Sequence, residues 1–137
     1  MIQFYLLAVC LNIAGGLILS ADFFSEKIPF AATLRDSVQE KQSWRIIFIV
    51  LVLFTGIFKV LSVTKGDVPV VGDLLPALSL LLIGISSLSG FFAEKSDIEG
   101  SFFHRINAVL TPNNHIIGVS ALVLGLLHFL FPSVLFL

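Results

Sequence analysis

The sequence predicts an all-α integral membrane protein, a four-helix bundle built from two tandem helical hairpins. Three observations predict it: the composition, four long apolar runs and an internal repeat. Of the 137 residues, 57% are hydrophobic and 12% are charged, which is too apolar for a soluble domain of this size. The apolar runs lie at about 2–21, 46–64, 74–93 and 114–136. Each is close to the ~20 residues that a helix needs to cross ~30 Å of hydrocarbon.

The first apolar run has two interpretations, a signal peptide or a helix of the mature protein. It lacks a basic segment at its start, contains Asn12 and Gly15 followed by Gly16, and ends in a weak cleavage pattern. A signal peptide has a basic segment at its start and a clear small-residue cleavage site at its end. We therefore expect a mature membrane helix.

The basic residues are concentrated in the first and third connections between the runs. Those in or beside the first are Lys27, Arg35, Lys41 and Arg45, those in the third are Lys95 and Arg105, and Lys59 and Lys65 accompany the second. Because cytoplasmic loops are enriched in Lys and Arg, we expect connections one and three in the cytoplasm and both termini outside. The predicted location is a bacterial inner membrane.

An internal repeat links the two halves. The segment 21–27 recurs as 89–95 with Phe, Phe, Glu and Lys in the same order, and Gly16 and Gly84 share that offset. With one residue inserted, Gly56 matches Gly125 and Lys59 matches His128. This pattern predicts one transmembrane domain, 1–137, with repeats at about 1–64 and 69–137. The alternative is that Phe, Glu and Lys are simply common at membrane interfaces.

The repeated Phe-Phe-x-Glu-Lys is typical of the end of a membrane span, where aromatic rings anchor the helix and charges stop it. The predicted anchors are Phe23, Phe24, Glu26, Lys27, Phe91, Phe92, Glu94 and Lys95.

Both cytoplasmic connections have helical periodicity. In one connection the apolar positions are Phe30, Leu34 and Val38, and in the other they are Phe102, Ile106, Val109 and Leu110. We expect short amphipathic helices that lie on the membrane surface or dock on a partner.

Small residues at helical spacing predict helix-packing faces within the membrane. They are Ala8, Gly16, Gly56, Gly84, Gly118, Ala121 and Gly125.

Four residues form a candidate intramembrane polar cluster: Lys59, Asp73, His128 and Asn12. An ionisable residue at membrane depth is a functional hypothesis by default. Each also has a structural interpretation, because Lys59 can reach the interface, Asp73 suits a helix N-cap, and Asn12 can cross-link helices.

Catalytic and metal-binding signatures are missing from the sequence. It has no Cys/His cluster, phosphate loop or Ser/His/Asp set, so we predict no catalytic residues, metal or cofactor, and favour a protein that is not an enzyme. His115 and His128 are too far apart along one helix to share a metal. We expect Cys10, the only cysteine, to be a buried apolar residue. The net charge of −1 makes nucleic acid an unsuitable partner.

The segment 54–61, followed by 72–78 and 81–84, resembles the first hairpin of the DoxX-like four-helix membrane proteins, in which a Gly-x-x-Lys helix end precedes a helix that begins near an acidic residue. The resemblance implies a small inner-membrane protein linked to redox or quinone-associated complexes. It places that hairpin at the second and third runs of this chain.

Three functions are consistent with the sequence. The first is a structural or accessory subunit that packs through its small-residue faces with itself or with other membrane subunits in the bilayer. The second is a small transporter or channel subunit for a proton, ion or small solute. The third is a quinone- or redox-associated subunit.

Overall fold

The structure, a computed structural model, describes residues 2–61, 74–96 and 101–131. These residues are almost entirely helical and include no strand. The helices are α1 (Ile2–Leu19), α2 (Ala21–Phe24), α3 (Pro29–Glu40), α4 (Gln42–Leu61), α5 (Leu74–Lys95), α6 (Phe102–Leu110), the 3₁₀ turn η1 (Thr111–Asn113) and α7 (Asn114–Leu130).

The described parts of the four apolar runs lie mainly in α1, α4, α5 and α7, the four longest α-helices that the structure describes. Three helical stretches are long and apolar enough to cross a membrane: α4, α5, and the continuous segment Phe102–Leu130 that joins α6, η1 and α7. At 18 residues, α1 spans about 27 Å, just short of the ~30 Å hydrocarbon thickness. These lengths are compatible with an integral membrane protein.

Helices α1 and α5 pack against each other, and each also packs against both α4 and α7. The most extensive contacts are between α1 and α7 and between α4 and α5. Both pairs are antiparallel, because residues early in one helix contact residues late in the other. Examples are Tyr5 with His128 and Arg45 with Glu94. Each pair joins a helix of one predicted repeat to a helix of the other, so the most extensive packing is between the two predicted repeats.

Glycine allows α1 and α7 to approach at backbone distance. A Cβ atom on Gly16 would lie 2.6 Å from the carbonyl oxygen of Gly118, and a Cβ on Gly118 would lie 2.7 Å from that of Gly16. In the other pair, Gly84 packs against Leu53, and Gly56 packs against Leu80 and Leu81. The backbone contact leaves no room for a side chain at Gly16 or Gly118.

All of the predicted packing residues are buried within the chain: Ala8, Gly16, Gly56, Gly84, Gly118, Ala121 and Gly125. They face neighbouring helices of the same molecule. An oligomer or a partner subunit would therefore have to use a different surface.

Large apolar side chains cover the outer surface of the long helices. The exposed ones on α4 include Val50, Leu51, Phe54 and Ile57, and those on α7 include Ile116, Val123, Leu126 and Phe129. Apolar residues on the outward faces of long helices are the pattern expected of helices in lipid.

Cys10 is exposed, so the prediction that it is buried was wrong. Positions 8 and 12 face the core, and Cys10 lies two residues from each, about 200° around the helix. An apolar run alone does not show which of its residues face inward.

Both predicted connection helices are present. Pro29 occupies the first turn of α3, and Ser101 caps α6 by accepting a hydrogen bond from the His104 N–H at 3.4 Å. Helix α3 packs on α1 and α4, and α6 packs on α5. On α3 the buried residue is Ala31, whereas Phe30, which we expected on the apolar face, is 63% exposed.

The two copies of Phe-Phe-x-Glu-Lys differ in structure. The first follows the end of α1, with Phe23 and Phe24 in α2, whereas the second is the last turn of α5. Phe23 is 64% exposed and its counterpart Phe91 only 9%. Glu26 and Lys27 are exposed, while Glu94 pairs with Arg45. Phe92 stacks on Phe103 of α6, and Lys95 lies over the Phe91 ring at 4.7 Å.

Candidate functional site

Lys59 and His128 come together around Tyr5. The Lys59 Nζ atom lies 5.5 Å from the centroid of the Tyr5 ring, and the Tyr5 and His128 ring centroids are 4.7 Å apart. Lys59 is 6% exposed and His128 is fully buried. Tyr5 thus connects the two residues that the repeat aligns.

The helix ends explain why basic residues stand here. Lys59 lies in the last turn of α4 and His128 in the last turn of α7, where the negative end of the helix dipole favours a cation. The last carbonyls of a helix lack intrahelical partners. One of them, the His128 carbonyl, accepts a hydrogen bond from the Tyr5 hydroxyl at 2.5 Å.

A second buried polar group lies two turns further along α1. The Asn12 Nδ2 atom donates to the carbonyls of Ala8 at 3.1 Å and Pro76 at 3.2 Å. The Ser79 hydroxyl donates to Asn12 Oδ1. Asn12 therefore links α1 to the beginning of α5.

Thr55 adds another buried hydroxyl one turn before Lys59 on the same face of α4. It is fully buried, and its Oγ1 has no hydrogen-bond partner among residues 2–61, 74–96 and 101–131. In a low-dielectric interior, such a hydroxyl can form a hydrogen bond with a further polar atom that enters the site.

Asp73, the fourth member of the predicted cluster, lies outside the described residues. Helix α5 begins at Leu74, the next residue. Both interpretations of Asp73, helix N-cap and cluster member, remain predictions.

Further along α5, Ser86 donates to Asn114 Oδ1 of α7 at 2.6 Å. Both side chains line a cavity of about 230 Å³, which we call the connection cavity. Its polar lining includes Gln39, Arg45, Ser86, Asn107, Thr111 and Asn114. Helices α3 and α6 contribute to its walls, so the two connections have a structural role at this end of the molecule.

Buried and half-buried polar groups occur at three levels of the interior, and we call the series the polar seam. It consists of Tyr5, Lys59 and His128, then Asn12 and Ser79, then Ser86 and Asn114. Ser79 and Ser86 are seven residues apart, two helical turns or ~10.5 Å on one face of α5.

Apolar residues interrupt the polar seam at both of its gaps, and fully buried Ala8 lies between Tyr5 and Asn12 on α1. Ile83 stands between Ser79 and Ser86 on the same face of α5 and is fully buried. Its side chain packs on Gly15, where an added Cβ would lie 2.9 Å from the Ile83 Cγ2 atom. The structure is therefore closed to a polar path at this level.

Two arginines pair with carboxylates at the connection end. Arg45 Nη2 donates to Glu94 Oε1 at 2.9 Å and Nη1 to Oε2 at 2.5 Å. Arg35 pairs with Asp22 and also with Asp36. The hydrogen bonds to Asp22, and then those to Asp36, raise the pKa of the Arg35 guanidinium above its usual value.

Sequence reasoning missed Tyr5, Ser79, Ser86 and Asn114. Tyr5 could have been found, because it extends the stripe of Ala8, Asn12 and Gly16 by one turn at a spacing of three. The pair Ser86 and Asn114 joins distant segments, and no spacing in a single sequence indicates it.

No three His, Cys, Asp or Glu side chains come together as a metal site within the described part of the chain. His115 and His128 are separated as expected. His115 stacks on Phe23 at a centroid distance of 6.3 Å, near the connections, whereas His128 is at the opposite end of α7.

The fold and site define a class: an all-helical protein with long apolar helices, compatible with membrane insertion, and polar groups inside. Residues 1–128 match the model of a family of unknown function, and the chain belongs to that family. No curated protein and no solved structure matches the chain. The resemblance to DoxX-like proteins stays a prediction.

Proposed function

We propose that this protein is a small membrane transport subunit in which α1, α4, α5 and α7 cross the bilayer and the polar seam carries a proton or small solute between the helices. The observation that supports the proposal is the polar seam itself, which extends from buried Lys59 and His128 to the connection cavity. Polar groups cost free energy at membrane depth and usually mark ion or substrate paths there.

In this proposal the described conformation is closed, since Ile83 packs on Gly15 between the two halves of the seam. Lys59, Tyr5 and His128 then form the site on one side of the closure, and the connection cavity is the entrance on the other. The topology that we propose keeps connections one and three in the cytoplasm of a bacterial inner membrane, with the tandem hairpins as a parallel repeat.

The accessory-subunit hypothesis now has less support, because the small-residue faces that suggested it pack inside the chain. A homo-oligomer, partner subunits and the quinone- or redox-associated function remain predictions. None of the described contacts favours one of them specifically.

Proton flux into liposomes tests the proposal. Purified protein is reconstituted with a pH-sensitive dye inside, and a membrane potential is imposed. We expect flux above that of protein-free liposomes, and loss of the excess when Lys59→Met and His128→Phe are combined. These substitutions keep the apolar stem of Lys59 and the ring contact of His128 while removing their ionisable groups.

The matched control is Lys41→Met, which removes an exposed lysine between α3 and α4 and should retain the flux. Size-exclusion and circular dichroism profiles establish that each variant is folded. Full flux in the folded double variant would remove Lys59 and His128 from the mechanism. No flux above protein-free liposomes, for protons and for small solutes alike, would overturn the proposal.

A further inference from the structure

We infer that the connection cavity is a binding site for a zwitterionic group, one that carries an anionic oxygen group and an ammonium group close together. Such a group occurs in the phosphoethanolamine head of a lipid and in a free amino acid. The inference concerns binding only and does not require conduction along the polar seam.

Arg45 is the fixed element of this site. Its side chain is 17% exposed, and the guanidinium carbon lies 5.3 Å from the centroid of the buried Phe91 ring. Cation–π contact and burial hold the guanidinium in place. Guanidinium groups of this kind bind carboxylate or phosphate through two parallel hydrogen bonds.

Glu94 is the mobile element. Its carboxylate accepts two hydrogen bonds from the Arg45 guanidinium, and its side chain is 64% exposed, so it has room to turn toward solvent. An incoming anionic group can replace one of these hydrogen bonds on Arg45. The same carboxylate then remains beside the site to accept hydrogen bonds from an ammonium group. Paired charges of both signs favour a zwitterion over an anion or a cation alone.

The cavity also offers hydrogen-bond donors that the protein does not use. Thr111 donates to Asn107 Oδ1 at 2.8 Å, and Ser86 donates to Asn114 Oδ1. The amide Nδ2 groups of Asn107 and Asn114 donate to no group in the described part of the chain. Amide donors beside a shielded arginine are suited to phosphate or carboxylate oxygens.

Gly90 opens the cavity on the α5 side. An added Cβ there would be 3.5 Å from Asn107 Oδ1 and 3.8 Å from the Arg45 Nη2 atom, which are ordinary contact distances. A larger side chain at Gly90 would extend from this position into the cavity. Gly90→Leu therefore blocks the site.

Two binding experiments on the full chain distinguish the sources of the group. In the first, protein is released from nanodiscs of equal phosphatidylethanolamine, phosphatidylcholine and phosphatidylglycerol, and retained lipid is identified by native mass spectrometry. In the second, glycine, acetate and methylammonium are each titrated into delipidated protein by calorimetry. Phosphatidylcholine lacks N–H donors for Glu94, and phosphatidylglycerol and acetate lack the cation.

We expect preferential retention of phosphatidylethanolamine, or binding of glycine over both single-charge compounds. Either result supports the site and identifies its source. Arg45→Met and Gly90→Leu should each weaken that binding about tenfold or more. Arg105→Met, which removes an exposed arginine of α6, should leave it unchanged.

Three outcomes would overturn the inference: equal retention of phosphatidylglycerol or equal binding of acetate, unchanged binding in both Arg45→Met and Gly90→Leu, or no binding in either experiment. Binding without any flux in liposomes would support this site and remove only the transport proposal.

Discussion

The two ends of the polar seam differ in how they hold polar groups. At one end, Lys59 and His128 both pack against Tyr5 inside the helix bundle. At the other, Ser86 and Asn114 border a cavity that Arg45 and Glu94 also line, and Glu94 is exposed to solvent. The closed end can hold a charge in place, whereas the open end can exchange a group with its surroundings.

Glycine positions show the same contrast. At Gly16 and Gly118 a methyl group would meet backbone atoms of the facing helix, and at Gly90 it would have room. The same residue type therefore serves close approach in one region and open space in another. The stability of variants at these positions therefore distinguishes the packed interior from the cavity.

Among the glycine and asparagine substitutions, the largest expected effect on stability is at the contact between α1 and α7. Gly16→Ala places a Cβ against the Gly118 carbonyl, so the helices must separate and lose contacts along their length. We expect a decrease of about 1–3 kcal/mol in the free energy of unfolding, measured by denaturant titration in mixed micelles. Unchanged stability would mean that the two backbones are not in contact.

A smaller effect is expected from Asn12→Leu. The substitution removes the hydrogen bond that Asn12 donates to Pro76 and the one that it accepts from the Ser79 hydroxyl. Hydrogen bonds between membrane helices contribute about 0.6 kcal/mol on average and up to about 1.7 kcal/mol, and we expect a loss of that size in the same titration. The control is Gln3→Leu on the exposed face of α1. An equal loss there would show that the hydrogen bonds of Asn12 do not account for the effect.

The smallest effect, and one of opposite sign, is expected from Gly90→Ala. The added methyl has space, and alanine favours a helix over glycine by about 1 kcal/mol. The free energy of unfolding should therefore stay the same or rise by up to that amount. A decrease like that of Gly16→Ala would contradict the open geometry at Gly90.

The apolar runs were sufficient to predict the long helices, because about 20 apolar residues with few charges have few other structures available. The connection helices followed from the spacing of residues such as Leu34 and Val38. Which residues of each helix face the interior was harder to predict. Cys10 and Phe30 are as apolar as their neighbours, and only the packing of α1 and α3 decides that they are exposed.

The candidate site was predicted in part. The repeat aligned Lys59 with His128, and the structure brings both to Tyr5. The repeat did not indicate Tyr5 itself, whose role depends on its contact with the end of α7, more than 120 residues away. The connection cavity escaped sequence analysis because seven helical elements or their ends contribute to it, and each contributes only one to four residues.

The most direct test of the polar seam is proton flux through liposomes that contain Ile83→Ala, compared with Ile85→Ala. Both substitutions shorten an isoleucine of α5, but Ile83 closes the seam against Gly15 and Ile85 is 39% exposed on the outer surface. Because the core substitution costs about 2–5 kcal/mol, only folded protein is compared. We expect Ile83→Ala to conduct faster than the unmodified protein, and Ile85→Ala to conduct at its rate. Equal flux in all three proteins would contradict a conducting seam closed at Ile83.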